Sequence, residues 1–291
     1  MSETRRFLEI EVFTDTPGHG NPAGVVIADQ PVTDAAQRAW SERVRKPGNG
    51  FLWPAAGNSW NARFHTPGRE VGISGHTALA CGHAAMLPGA TKLTLRSRTD
   101  ELELAREDGA LWLTLPRPKL APFDAPLARI ARALGLEADG IDHEVGCVRT
   151  ADGDLLLLLA PDVDPVTLQP DFEALKPIGD ELGTRGFCVF TRRTNEESSH
   201  WQSRFFGPHL GLPEDIATGS TQASLARRLW DLGRIRVDRP VMRFVAEQGD
   251  ALGRPCRLRV EMTTDDGALV KVRVGGQVVT VAERPLAPGE I

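Results

Sequence analysis

Three residues whose side chains can move protons stand beside two similar alanine-rich stretches of the chain. His76 lies in "ISGHTALACGHAA", and Asp215 and Ser220 lie in "DIATGSTQASLA". An imidazole, a carboxylate and a hydroxyl are groups used in general acid–base catalysis and in the binding of an anion. Arranged around one bound anion, these three residues would transfer protons to and from a small acid substrate.

Each stretch also has the pattern of a helix that begins at a glycine. Gly75 and Gly219 are each followed by a polar residue and then by a segment without a helix breaker. The first N–H groups of a helix have no partner within the helix, and they carry partial positive charge, so they attract anions. The sequence therefore predicts two helix ends that face one cleft and hold a carboxylate, with binding residues Gly75, His76, Gly219 and Ser220.

A structural interpretation of the two ionisable residues stays open beside the catalytic one. Asp215 stands four residues before its predicted helix, where a carboxylate can serve as a cap. His76 can be a hydrogen-bonded residue of the first helical turn. The spacing alone does not choose between a structural and a catalytic role.

Other kinds of site are disfavoured by the sequence. The segment "GHGNPAG" imitates a dinucleotide-binding loop, but Pro22 and the run "VVIAD" continue it as a turn and a strand. No His or Cys pair has the spacing of metal ligands, so a metal is also disfavoured. The four single cysteines are predicted to be reduced and buried: Cys81, Cys147, Cys188 and Cys256.

Composition sets the class of protein. The chain has 291 residues, a net charge of −5 and 41% hydrophobic residues, which is typical of a globular protein of about two domains without a basic face for nucleic acid. The N-terminal stretch lacks the apolar core of a signal sequence, and the longest aliphatic run is too short to span a bilayer. We expect a cytoplasmic protein that binds neither nucleic acid nor membrane.

The predicted elements are mostly strands, with few helices, and they repeat. One helix is predicted from a cap at Thr33 and Asp34 to near Pro47, and "LARIARALGL" predicts another. Gly75 and Gly219 are 144 residues apart, and each follows a strand-like stretch that begins with Arg-Phe. The two halves are therefore predicted to be duplicates, joined by the proline-rich linker "PRPKLAPFDAP".

Several motifs together resemble the PhzF-like proteins of phenazine biosynthesis. They are "FTDTPGHGNPAGVV", "FHTPGREVGISGHTALA", "FFGPHLGLPEDIATGSTQASLA" and "EQGDALGRP", in that order along nearly the whole chain. The resemblance implies an α+β protein with the diaminopimelate epimerase fold. Two pseudo-symmetric lobes would each have an antiparallel sheet wrapped around a central helix. The first lobe would cover 1–118, completed by a C-terminal strand at 278–291, and the second would cover 125–277.

The resemblance also implies a cofactor-free isomerase that removes and returns a proton, and a homodimer. The family's Gly-His pair falls on Gly75 and His76, its Asp on Asp215 and its Gly-Ser on Gly219 and Ser220. Ser74 and Thr218 stand where related epimerases carry a cysteine pair, so two-thiol racemisation is not expected. We assign Ser74, Thr218, Asn21 and Gly48 to substrate binding.

The family's usual acid/base glutamate is missing from this sequence. When its phenylalanine is aligned on Phe51, Gly48 takes the place of the glutamate, which predicts an open pocket wall there. Glu42, on the preceding helix, is either a replacement or a surface residue. The predicted activity is a double-bond shift on a small unsaturated amino, imino or cyclic acid, in an antibiotic or other secondary pathway. The alternatives are a pseudoenzyme that binds a small acid or a partner, and a lyase or hydratase.

Overall fold

The structure is a computed structural model that describes residues 5–67, 69–287 and 289–291. Residues 1–4 of the predicted first lobe, as well as 68 and 288, lie outside the described residues. The chain divides into two compact units, Met1–Leu115 with Arg273–Ile291, and Pro116–Val272. The fold is mixed α/β, with a large sheet and few helices. Among the described residues, no helix combines the length and the apolar character needed to cross a membrane.

The first unit begins with eight strands and two helices. They are β1 Arg5–Val12, β2 Asn21–Ala28, α1 Asp34–Val44, β3 Gly48–Pro54, β4 Ser59–Thr66, β5 Arg69–Val71, α2 Gly75–Ala85, β6 Lys92–Arg96, β7 Glu101–Glu107 and β8 Ala110–Leu115.

The second unit contains the middle of the chain. Its elements are β9 Leu120–Phe123, α3 Leu127–Ala133, β10 Cys147–Thr150, β11 Asp154–Leu158, α4 Phe172–Leu182, β12 Gly186–Thr191, β13 Trp201–Gly207, β14 Leu212–Asp215, α5 Gly219–Asp231, β15 Val241–Gln248 and β16 Cys256–Asp265. Strand β17, Ala268–Gly276, crosses the boundary between the units, and β18, Val278–Pro285, pairs with β1 in the first unit.

One order of elements occurs in both units. The order β2–α1–β3–β4–β5–α2 of the first unit recurs as β11–α4–β12–β13–β14–α5 in the second. The parallel ladders begin with the pairs Ala23–Gly48 and Asp154–Gly186. Gly48 therefore corresponds to Gly186, and the helix starts at Gly75 and Gly219 correspond to each other.

The expectation of antiparallel sheets needs correction, because four of the described strand pairs are parallel. They are β2–β3, β4–β6, β11–β12 and β13–β15. Parallel neighbours need a crossover connection. Helix α1 lies within the connection from β2 to β3, and α4 lies within the one from β11 to β12. Helix α4, which contains Pro177, was not predicted from the sequence.

Local signals in the sequence predicted the first helix correctly. The Thr33 hydroxyl accepts a hydrogen bond from the backbone N–H of Ala36 at 3.3 Å, and Arg45 ends the helix in the left-handed region with φ of 53°. The proline-rich stretch predicted as a linker begins at the boundary between the two units and contains β9, which pairs with β10. Proline is tolerated in a strand wherever its position needs no N–H donor, so Pro122 does not prevent this pairing.

Helix α2, which begins at the predicted site, is largely buried. Seven of its eleven residues are buried. Within its unit it contacts strands β1–β4, β6–β8 and β18. A Cβ atom on Gly50 of β3 would lie 2.2 Å from the Sγ atom of Cys81 in α2. Only glycine at position 50 lets the strand and the helix approach this closely.

Candidate active site

In the first unit, Ser74 immediately precedes α2 and pairs with the side chain of Thr77. The two hydroxyl oxygens are 2.8 Å apart, and the helix begins with a hydrogen bond from the N–H of Ala78 to the carbonyl of Ser74. Ser74 is in the N-cap position with extended backbone, but its hydroxyl contacts Thr77 rather than a helix N–H. The first N–H groups of α2 are therefore not capped by this side chain.

The structure contradicts the expectation of an open pocket wall at Gly48. A Cβ atom on this residue would lie 2.0 Å from the Oγ1 atom of Thr77 and 2.4 Å from the Nε2 atom of His76. The space beside Gly48 is therefore filled by the start of α2. Glu42 is exposed on α1, as expected for a surface residue.

Asn21 lies on the strand beside Gly48. It is the first residue of β2 and is completely buried. Alternate residues of a strand share a face, so Asn21 lies on the face of Ala23, which pairs with Gly48. The first unit thus brings Gly48, Ser74, Gly75 and His76 to the start of α2 and places Asn21 on the neighbouring strand.

In the second unit, Asp215 ends β14 and contacts the residue before α5. The hydroxyl of Thr218 donates a hydrogen bond to the Oδ2 atom of Asp215 at 2.7 Å. Thr218, not Asp215, occupies the N-cap position, and Gly219 begins the helix. The structure therefore does not place Asp215 as the cap of α5, and the half-buried carboxylate stands in front of the helix.

The buried side chain of Gln248 stabilises this arrangement through hydrogen bonds. The side-chain amide of Gln248 donates to the carbonyl of Asp215 at 2.9 Å, and its oxygen accepts from the N–H of Thr218 at 3.1 Å. Gln222 of α5 donates to the same Gln248 oxygen at 2.9 Å and accepts from the indole of Trp201 at 2.8 Å. These bonds fix the backbone between Asp215 and α5. Gln248 lies in the motif "EQGDALGRP", but no role was predicted for it from the sequence.

A charged pair at the start of α5 was also not predicted from the sequence. Arg185 precedes β12 and forms an ion pair with Asp154, the first residue of β11, at 2.5 Å. It also donates to the hydroxyl of Ser220 at 3.3 Å, and Thr221 donates to Asp154 at 2.7 Å. Only the parallel pairing of β11 with β12 brings these residues together, so no local sequence pattern signals them.

The charge state of Arg185 follows from its surroundings. Burial lowers the pKa of its guanidinium, but the hydrogen bonds and the charge of Asp154 raise the pKa, with further contributions from Asp152 and Asp215. The net shift is upward, so Arg185 is a permanent cation. It gives the start of α5 a positive charge next to the carboxylate of Asp215.

Thiol chemistry is disfavoured in both units. All four cysteines are free and buried. Burial raises the pKa of each thiol, and that of Cys147 reaches about 12 even though the charges of Arg149 and Arg228 lower it. Ser74 and Thr218 occupy the positions that precede the two helices. Among the described residues, no cluster of three or more His, Cys, Asp or Glu side chains is arranged to hold a metal ion.

Comparison with known protein families shows which family the chain belongs to. The family model for phenazine biosynthesis-like proteins, PhzC-PhzF, matches residues 10–284. The chain belongs to this family. Other members of the PhzC-PhzF family are named as isomerases. The uncharacterized isomerase YddE of Salmonella typhimurium is 29% identical over 286 residues, which cover 93% of this chain and 94% of the relative.

Solved structures share the fold of this PhzC-PhzF family member. A crystal structure of a PhzF family protein from Bacillus anthracis superposes with a TM-score of 0.86 at 21% identity, covering 99% of this chain and 100% of that one. A hydroxyproline epimerase from Agrobacterium vitis has a TM-score of 0.61 at 16% identity, covering 98% of this chain and 91% of that one. The likeness therefore extends to an epimerase at the level of the fold.

Proposed function

We propose that this protein is a cofactor-independent isomerase that shifts a proton and a double bond on a small unsaturated amino, imino or cyclic carboxylic acid. The observation that carries the proposal is the position of Asp215 at the end of β14, where Thr218 holds its carboxylate in front of α5. Relatives named isomerases support the reaction class.

The first proposed step is removal of a proton by Asp215. The hydroxyl of Thr218 donates a hydrogen bond to the Oδ2 atom of this carboxylate. When the substrate C–H bond breaks, the proton moves to this carboxylate and the electron pair moves into the conjugated system of the acid. This chemistry suits a C–H bond that is already acidified by conjugation, because a carboxylate is a weak base.

The second proposed step returns a proton to the other end of the conjugated system. The N–H groups at the start of α5 and the hydroxyl of Ser220 stabilise the negative charge that develops on the substrate carboxylate. His76 donates a proton, the double bond forms in its new position, and both residues then exchange protons with water. No electron acceptor is needed, and solvent hydrogen enters the product.

Ser74, Gly75, Thr218 and Gly219 would supply backbone donors and shape to the substrate. The family resemblance adds three further elements to the proposal: lobes in which a sheet wraps a central helix, a homodimer and a role in antibiotic or related biosynthesis.

Proton exchange tests the proposal directly. A panel of small unsaturated carboxylic acids is incubated with the protein in deuterated water, and incorporation of deuterium is followed by NMR. Asp215→Asn keeps the size of the side chain and removes the base, so exchange should fall by about 10²-fold or more. Asp231→Asn, at the far end of α5, is the matched control and should exchange like the wild type.

Three results would contradict the proposal. Undiminished exchange in Asp215→Asn would remove Asp215 from the mechanism. Release of water or another leaving group would show a lyase. Binding of acids without exchange or turnover by the wild type would indicate a protein that binds small acids without isomerising them.

A further inference from the structure

The guanidinium of Arg185 is held in one orientation by a buried carboxylate. Its Nε atom donates to Oδ1 of Asp154 and its Nη2 atom donates to Oδ2, both at 2.5 Å. The side chain of Asp154 is 1% exposed, and the hydroxyl of Thr221 also donates to it. A two-point contact of this kind fixes the plane of an arginine as well as its position.

The other edge of the same guanidinium is directed away from Asp154. The Arg185 side chain is 36% exposed, whereas Asp154 is fully buried. In the described part of the chain, the Nη1 atom has no acceptor among the hydrogen bonds of Arg185, and Nη2 reaches the hydroxyls of Ser220 and Thr221 at 3.3 and 3.2 Å. Two N–H donors on Nη1 are therefore available beside the first turn of α5.

The ion pair is not a requirement of the repeated fold. The first unit builds the same strand–helix–strand arrangement with Ala23 paired to Gly48, where the second unit has Asp154 paired to Gly186. The residue before Gly48 is Pro47, and the residue before Gly186 is Arg185. Burial of an ion pair costs desolvation energy that often cancels its Coulomb attraction. Stability alone therefore does not account for this pair.

We propose that Arg185 binds the carboxylate of the substrate, through Nη1, at the start of α5 and beside Ser220. The assignment rests on the proposed function, and it names the group that the second unit recognises: a carboxylate on the substrate, held next to Asp215. Asp154 acts as a positioning residue that keeps the guanidinium turned toward this group. A neutral carboxamide of the same shape loses the charge-assisted hydrogen bonds.

The test uses two probes that differ only in this group and have no double bond to shift, cyclohexanecarboxylate and cyclohexanecarboxamide. Their binding to the intact protein is measured by calorimetry and by ligand-observed NMR at pH 7, without turnover. Arg185→Gln alone would leave Asp154 buried without its partner, so it is combined with Asp154→Asn. The matched control removes an exposed pair in the same unit, Arg129→Gln with Glu181→Gln.

The wild type and the control should prefer the carboxylate by about tenfold or more. The Arg185→Gln/Asp154→Asn protein should lose this preference, while its affinity for the carboxamide stays within about twofold. Circular dichroism and the midpoint of urea unfolding are measured to check that this protein is folded. Loss of affinity for both probes alike would show a structural role and overturn the proposal, as would a wild type that shows no preference or binds neither probe.

This test separates the binding proposal from the isomerase proposal. Asp215→Asn should lose proton exchange but keep the preference for the carboxylate. A wild type that selects the carboxylate and exchanges no proton would contradict the isomerase and leave the assignment of Arg185 standing. The reverse result, exchange without carboxylate selection, would overturn only the assignment of Arg185.

Discussion

The Nε2 atom of His76 lies 2.4 Å from the position that a Cβ atom on Gly48 would occupy. These residues come from β3 and α2, and the Oγ1 atom of Thr77 lies closer still, at 2.0 Å. Glycine at position 48 therefore allows the imidazole to lie beside the start of β3. Because Gly48 and His76 pack against each other, a larger residue at position 48 would also move His76.

We therefore expect Gly48→Ala to be costly despite its small size. The methyl group must displace Thr77 or His76 in a buried site, and overpacking of this kind costs about 1–3 kcal/mol. Urea denaturation measures the change in the free energy of unfolding. Gly72→Ala is the control, because a Cβ atom there would meet only Thr99, at 3.9 Å. It should change stability by no more than about 0.5 kcal/mol.

Gly48→Glu, which introduces the glutamate expected here from the family resemblance, should impair the protein rather than improve it. The glutamate side chain must displace Thr77 and His76 from the space beside position 48, so proton exchange should fall together with stability. A Gly48→Glu protein as stable and active as the wild type would show that His76 does not pack against position 48.

The close approach of β3 and α2 at Gly50 gives a second packing prediction. Gly50→Ala places its methyl group against the sulfur of Cys81 and should destabilise the protein by about 1–3 kcal/mol. Cys81→Ala removes that sulfur, so the double variant should be more stable than the sum of the single changes by about 0.5–3 kcal/mol. Cys188→Ala, a buried cysteine elsewhere, should give no such coupling. Additive effects with Cys81→Ala would mean that the two residues are not in contact.

The local parts of the site could be predicted from the sequence. A helix that begins at a glycine carries its signal within a few residues, so the starts of α2 and α5 were predicted at Gly75 and Gly219 and are confirmed there. Asp215 and Ser220 lie within four residues of Gly219, so the signal that predicted the start of α5 also predicted their position beside it. The family resemblance is likewise confirmed, because its motifs are contiguous stretches of sequence.

The parts that depend on strand pairing could not be predicted. Arg185 and Asp154 are 31 residues apart and meet because β11 and β12 are parallel neighbours, joined through α4. Pro177 obscured that helix in the sequence. Gly48 was expected to leave open space because a sequence does not show which face of β3 meets α2. The missed ion pair and the error at Gly48 both concern contacts between elements that are distant in the sequence.

Burial of the cysteines predicts slow thiol modification. Because burial raises the pKa of Cys147 to about 12, only about one thiol in 10⁴ is ionised at pH 8. Burial shifts the other three thiols in the same direction. Iodoacetamide should label the native protein much more slowly than N-acetylcysteine, and all four residues should react once urea unfolds the chain. Mass spectrometry of peptides checks this result; rapid labelling of one native cysteine would reveal an exposed, ionised thiol.

Stability should also fall in mild acid, in part because of His65. This residue is 3% exposed, and its Nε2 atom lies 3.0 Å from the Oε1 atom of Gln37. Burial lowers the pKa of the imidazole below its ordinary value of 6.5, while the charges of Glu70 and Asp34 raise it to a smaller extent. As the pH falls through 6.5, the unfolded chain therefore gains a proton that the folded chain does not, and the free energy of unfolding decreases.

His65→Phe isolates this contribution, since Phe206 holds the matching position of the second unit, pairing with Phe187 as His65 pairs with Asn49. The variant loses the contact with Gln37 at every pH. It should therefore be less stable than the wild type at pH 8, by an amount that shrinks as the pH falls to 5. The slope has an upper limit of about 1.4 kcal/mol per pH unit for one group. Urea denaturation of both proteins from pH 5 to 8 measures the difference, in which the other histidines cancel. A difference that stays constant over this range would show that His65 titrates alike in the folded and unfolded chains.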